Sequence, residues 1–196
     1  MPRFRYFAVY KPFQTLSQFS GEGDKKTLKD YFSVPKDVYP VGRLDYDSEG
    51  LLLLTNDPGL NQALLHPKNA HNRTYFAQVD GIIASSAVET LKKGVKIAVN
   101  GKNYLCRAAD AAIIEKEPLL PPRHPPIRIR KTIPAPWITL TLKEGKNRQV
   151  RKMCAAVGSP VLRLVRISME ELDILGWASG EIREFTRAEL TRYLHI

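Results

Sequence analysis

The chain has 196 residues, 43% of them hydrophobic, with 30 lysines and arginines against 20 aspartates and glutamates, a net charge of +10. That is enough apolar material for a core, which excludes a wholly disordered chain, and the length fits a single domain. No apolar run reaches the roughly 18 residues that cross a bilayer, and Cys106 and Cys154 stand 48 positions apart with no zinc spacing, so both read as reduced thiols of a cytoplasmic protein with no membrane partner.

In chain order, Arg5 to Lys11 alternates as a strand and stops at Pro12. Thr27 to Phe32 reads as a short helix, and Leu51 to Thr55 is a wholly apolar run of the kind that forms a buried strand. Leu60 to His66 is a helix halted by Pro67, and Thr74 to Asp80 a strand. Ser86 and Glu89 have the spacing of a capping box that opens a helix to Lys93. Tyr104 to Ile114 and Trp137 to Lys143 are strand-like, Arg148 to Val157 is a helix ended by Gly158, and Val161 to Ile167 is a strand. Thr186 and Glu189 form a second capping box before the last helix. Residues 118 to 136 hold seven of the 14 prolines and make a long loop. Strands and helices without regular βαβ spacing point to an α+β fold.

The positive charge is concentrated. Eleven basic residues and one acid, Glu144, lie between Arg123 and Arg166, so this stretch accounts for the net charge of the chain. Such a footprint predicts a polyanionic partner, nucleic acid or an anionic membrane, and no amphipathic anchor supports the membrane. The chain has no GxxxxGK[ST] loop and no zinc-deaminase motif.

Three constellations carry chemistry. In Gly42 to Gly50, Asp45, Asp47 and Glu49 alternate before the apolar strand. They read as a calcium loop that lacks its twelfth ligand (Asn56 stands there), as a solvated polar turn, or as a reactive carboxylate kept ionised by a neighbouring cation such as Arg43. In the helix after Asn147, Val150, Met153, Cys154 and Val157 form the core stripe, while Arg148, Arg151 and Lys152 share another side near the helix start, where the backbone dipole favours anions. Asn147 is placed to cap that helix. In Arg73-Thr74-Tyr75 the tyrosine opens a strand pattern and offers a ring on which a base can stack.

These pieces, in this order, resemble the pseudouridine synthases of the RsuA/RluB/RluE/RluF family. The resemblance rests on Tyr10-Lys11-Pro12, on Gly42-Arg43-Leu44-Asp45 with Asp47-Ser48-Glu49-Gly50 and the leucines that follow, on Arg73-Thr74-Tyr75, and on Glu144-Gly145-Lys146-Asn147-Arg148-Gln149-Val150-Arg151-Lys152-Met153. It covers about residues 5 to 187. Pro125 to Lys131 looks most like the RluE branch, which modifies large-subunit ribosomal RNA. The chain begins close to the Lys-Pro strand, so no S4 RNA-binding domain is expected, and the glycine usual after Lys-Pro is absent.

The resemblance implies a mixed, mostly antiparallel sheet with flanking helices and a catalytic cleft. It implies isomerisation of a uridine in ribosomal RNA, 23S by the branch, without cofactor or metal, by a monomer. Asp45 would be the nucleophile, Arg151 the cation paired with it, Tyr75 the ring on the uracil, and Arg43 the residue that helps extrude the nucleotide. Arg73, Lys146, Asn147, Arg148 and Lys152 would hold RNA at the cleft, and Arg123, Arg128, Arg130 and Lys131 would hold it from the proline-rich loop. The rival readings are a non-catalytic RNA-binding or ribosome-assembly module on the same fold and a metal-dependent RNA hydrolase using Asp45, Asp47 and Glu49.

Overall fold

A computed structural model describes residues 4–128, 130 and 132–196. In chain order the elements are β1 (Tyr6–Lys11), β2 (Thr15–Leu16), β3 (Lys26–Thr27), β4 (Tyr39–Pro40), β5 (Glu49–Thr55), α1 (Pro58–Leu65), β6 (Arg73–Val79), α2 (Ser85–Lys93), β7 (Val95–Val99), β8 (Lys102–Cys106), β9 (Asp110–Ile114), β10 (Trp137–Leu142), α3 (Gln149–Ala156), β11 (Val161–Met169), β12 (Leu172–Asp173), β13 (Ile182–Phe185) and α4 (Arg187–Leu194). A short 3-10 turn, Leu28–Asp30, stands where a helix from Thr27 to Phe32 is expected.

One sheet organises the molecule in the order β13-β1-β5-β11-β6-β10-β9, with β4 beside β5 and β12 beside β11. Its pairings are antiparallel except β5 with β11. The fold is therefore α+β with a mixed, mostly antiparallel sheet, as expected.

The sheet is covered on both faces. Leu52 and Leu54 join Phe7, Val9 and Ala77 in one core with Val88 and Leu91 of α2 and Val150, Met153 and Cys154 of α3. Leu51 and Leu53 join Tyr6, Ala8 and Tyr10 in a second core with Leu60 and Leu64 of α1 and Leu190 and Leu194 of α4. A strand buried on both sides needs apolar residues at successive positions, which is why β5 reads as a continuous leucine run.

Helix ends follow local chemistry unevenly. Thr186 and Glu189 form their box: the Glu189 amide donates to Thr186 Oγ at 3.2 Å and the Thr186 amide to Glu189 Oε2 at 2.7 Å. The box expected at Ser86 is not formed, because the helix begins two residues earlier, with Ala84 at its N-cap, and no side chain caps it. The first helix starts earlier than its apolar pattern: Asp57 Oδ1 accepts from the Gly59 and Leu60 amides, with Pro58 in the first turn. The strand expected from Tyr104 to Ile114 is two strands, β8 and β9, and β8 pairs with β7 in a separate hairpin. Strand β7 was not predicted, nor was β13, which covers the outer edge of β1.

Candidate active site

Where β6 begins and β10 ends, the sheet opens into a cavity of about 910 Å³. Its walls are the loop between β4 and β5, the start of β6, the loop between β10 and α3, and the inner part of β11. Of the residues singled out in the sequence, Arg43, Asp45, Arg73, Tyr75, Lys146, Asn147 and Arg148 line it. The motifs are far apart in sequence, and the sheet brings them to one place.

The loop carrying Asp45 is pinned from beneath. Ser17 Oγ donates to the Leu44 carbonyl at 2.8 Å and accepts from the Leu44 amide at 3.0 Å, in the buried interior. The Ser48 amide donates to the Asp45 carbonyl at 3.0 Å and closes the turn. The Asp45 side chain is left about one-third exposed, with Arg148 Nη1 4.0 Å from Oδ2.

The neighbouring carboxylates are committed elsewhere. Arg148 holds Asp47 through both its terminal nitrogens, at 2.8 and 2.7 Å. Arg151 Nε lies 3.4 Å from Asp47 Oδ2, and Arg151 donates to the Asp47 carbonyl at 2.5 Å and the Val161 carbonyl at 3.2 Å. Burial opposes ionisation of Asp47, but Arg148 and Arg151 outweigh it and hold the carboxyl below its usual range. Glu49 is buried and receives two bonds from Arg163, at 2.9 and 2.8 Å. With Asp47 and Glu49 each held by arginine, the alternating carboxylates do not converge as a calcium loop or a hydrolase metal site.

Two expectations are corrected here. Arg151 was expected to pair with Asp45; it grips Asp47, and Arg148 is the cation nearest Asp45. The basic side of α3 does pair a carboxylate, since Arg148 and Arg151 are both engaged with Asp47, while Lys152 donates to Asn147 Oδ1 at 3.3 Å. Arg148 itself stands in the left-handed backbone region at φ 51°, so Arg148, not Asn147, precedes the first turn of α3.

Tyr75 lies on β6, 9% exposed, with its backbone opposite Arg166 of β11 and Leu140 of β10. Arg73, two residues earlier, donates to the His71 and Leu64 carbonyls at 3.2 and 3.0 Å. Lys146 pairs with Glu144 and lies 5.1 Å from the Tyr104 ring centre.

The described residues of the proline-rich loop are docked on the protein, and none of them lines the cavity. Val79 and Gly81 donate to Pro136 and Pro134, and Arg163 donates to the Pro121 carbonyl at 2.8 Å. Arg123 stacks 4.2 Å over the Phe13 ring and donates to Pro125, and Arg130 pairs with Asp80. Arg128 is exposed, and Lys131 lies outside the described residues.

Sequence reasoning missed Arg166 and Lys11. Lys11 closes the apolar β1 and Arg166 stands within β11, and those placements were the available signal. Arg166 reaches the cavity from β11. Lys11 is fully buried at the end of β1 and donates to the Pro12 and Thr15 carbonyls at 3.0 and 2.7 Å. Burial brings its pKa down to about 7 against the opposing pull of Glu49, Asp47 and Asp45.

The sequence profile of a family described as RNA pseudouridylate synthase matches residues 5–156. The chain is 45% identical over 174 residues to "Ribosomal large subunit pseudouridine synthase E" of Vibrio parahaemolyticus, covering 89% of this chain and 71% of that one. It is 43% identical over 186 residues to the protein of the same name from Xanthomonas axonopodis pv. citri, covering 93% and 95%. Among solved structures, "Crystal structure of pseudouridylate synthase" superposes with a TM-score of 0.75 at 24% identity, over 99% of this chain and 75% of that one, a likeness of fold.

Proposed function

The chain belongs to the RNA pseudouridylate synthase family, and we propose that it isomerises a uridine of 23S ribosomal RNA to pseudouridine with Asp45 as its nucleophile. It is an RNA-modifying isomerase acting on ribosomal RNA. The large-subunit target follows the name its relatives carry, and the cytoplasm is the compartment in which that RNA is met.

The reaction breaks the bond from the uracil N1 to the ribose and joins C5 in its place, with loss of the C5 proton. A uridine in a folded RNA must first leave its stack, at a cost of a few kcal/mol. Arg43, exposed at the cavity mouth, is suited to the gap the base leaves. Inside, the Tyr75 ring offers a face for the uracil, worth about 1–3 kcal/mol per stacked base. Asp45 then meets the nucleotide with its carboxylate free of hydrogen-bonded partners among the described residues and with Arg148 4.0 Å away. That distance leaves the oxygen that attacks uncovered. Arg151 acts on Asp45 indirectly, by fixing the backbone of Asp47.

The observation that carries this reading is that Asp45 and Tyr75 line one cavity, with Arg148 4.0 Å from the Asp45 carboxylate. The test is tritium release from ribosomal RNA carrying 5-tritiated uridine. The wild-type protein should release it, and Asp45→Asn should release none while still binding the RNA. An Asp45→Asn protein that makes pseudouridine at near wild-type rate defeats the assignment, and a wild-type protein that binds RNA without release favours the non-catalytic module.

A further inference from the structure

We propose that Arg73 and Arg166 form an anion site on the cavity wall that takes a backbone phosphate of the RNA strand carrying the target uridine. The proposal rests on the reading of the cavity as the uridine site.

Burying an arginine is costly unless a partner offsets its charge. Elsewhere in this protein the rule is kept. Arg163 has Glu49, and Arg151 has Asp47. Arg166 is 4% exposed, and its Nε donates to the Leu51 carbonyl at 2.8 Å. Its Nη2 is buried with no hydrogen-bond partner. Arg73 is spent on two neutral carbonyls. Neither guanidinium forms an ion pair among the described residues, and Glu170, the nearby carboxylate, is occupied by Asn72 at 2.7 and 2.9 Å. The two arginines also repel each other: burial lowers the pKa of Arg73 first, and Arg166 lowers it further.

Two desolvated cations facing one cavity are an arrangement that a bound anion completes. Guanidinium groups fit phosphate oxygens in a planar, two-point geometry. The placement suits a nucleotide. Arg73 and Tyr75 are two apart on β6 and share a face, about 7 Å from one to the next along the strand. Arg166 stands across from Tyr75 on β11. A base lying on the Tyr75 ring therefore leaves its backbone beside the two arginines. A uracil carbonyl is a poorer match, because it is neutral and leaves both charges uncompensated.

The test is the salt dependence of binding. The full chain and its Arg73→Gln, Arg166→Gln and Arg166→Lys variants are titrated with a 23S ribosomal RNA transcript across a range of salt. Each phosphate contact contributes about 0.7 to 0.9 to the slope of log affinity against log salt. Each glutamine variant should lose about that much slope, and Arg166→Lys should keep it. Thermal melting of each variant checks folding, and if Arg166→Gln does not fold, Arg73→Gln decides alone. Weaker binding with an unchanged slope overturns the phosphate assignment, as does no change in binding. Pseudouridine yield of the wild-type protein on the same transcript is scored separately. Absent product with a shifted slope defeats the uridine reading and leaves the anion site standing. Product with unshifted slopes does the reverse.

Discussion

Arg151 holds the loop two residues beyond Asp45, donating to the Asp47 carbonyl at 2.5 Å while its Nε sits 3.4 Å from the Asp47 carboxylate. The same guanidinium reaches the Val161 carbonyl, so one side chain ties the loop before β5 to the entry of β11. On the proposed reading, Arg151 positions Asp45 and does not face it.

Arg151→Lys should therefore slow the reaction with little change in RNA affinity. An ammonium cannot reach both carbonyls and the carboxylate in the planar geometry a guanidinium uses. A shift of about 1 Å in a reacting group can cost on the order of 100-fold. Single-turnover tritium release should fall by about 10- to 100-fold, and the binding isotherm should stay within about twofold. A matching loss in affinity would count against a positioning role.

The buried pair Arg163–Glu49 makes a sharper stability prediction. Glu49 is 2% exposed, and its partner also holds the Pro121 carbonyl of the proline-rich loop. Glu49→Gln or Arg163→Met leaves a buried charge alone and should cost about 3–5 kcal/mol in urea unfolding. The double change Glu49→Leu with Arg163→Met should recover most of that loss, since neither charge is then stranded. If the double variant is as unstable as the sum of the singles, the packing around the pair, not its charge, is what matters.

Much of this was readable in the chain. The leucine run of β5 could only be a strand buried on both faces, and Asp45 and Tyr75 were found as parts of motifs. Gly50 was visible as a glycine but not as a contact. At φ 106° it lets β5 pass so close to β11 that an added Cβ would lie 2.3 Å from the Arg166 carbonyl oxygen. The arginine pairings were not readable. Asp45 and Asp47 compete for the same cations two residues apart, and only the path of the chain decides which one is taken. Nor was the burial of Arg166 readable, since an arginine in a strand ordinarily faces solvent. The edge strand β13, Ile-Arg-Glu-Phe, has too few residues and too many charges to show a period.

The pinning of the Asp45 loop extends to Lys11, whose ammonium holds the Pro12 and Thr15 carbonyls just ahead of Ser17. Its folded pKa of about 7 lies below the unfolded value of about 10.4. Between those values the unfolded chain carries a proton that the folded chain does not. Stability should rise with pH from about 7 to 9, with a slope approaching about 1.4 kcal/mol per pH unit. Below about pH 7 both states are protonated and this slope vanishes. Above about pH 9 the trend reverses, because burial pushes the Cys106 and Cys154 thiols up to about 11 and about 12 and the unfolded thiols ionise first. Lys11→Met should flatten the rise between pH 7 and 9 in urea unfolding curves; an unchanged slope would assign it to another group.

The arginines of the chain divide into those that hold the protein and those we assign to RNA. Arg123 is stacked on Phe13 and bonded to Pro125, whereas Arg43 is exposed at the cavity mouth. Arg123→Ala should lower the melting temperature, since it removes a cation–π contact of about 1 kcal/mol and loosens the proline-rich loop. It should leave the salt slope of RNA binding nearly intact. Arg43→Ala should do the opposite, leaving the melting temperature alone and weakening RNA binding. Melting curves and binding isotherms on the two variants separate these roles. Had net charge alone decided RNA affinity, the two substitutions would weaken binding equally. The ring under Arg123 and the open cavity mouth beside Arg43 are the reason they should not.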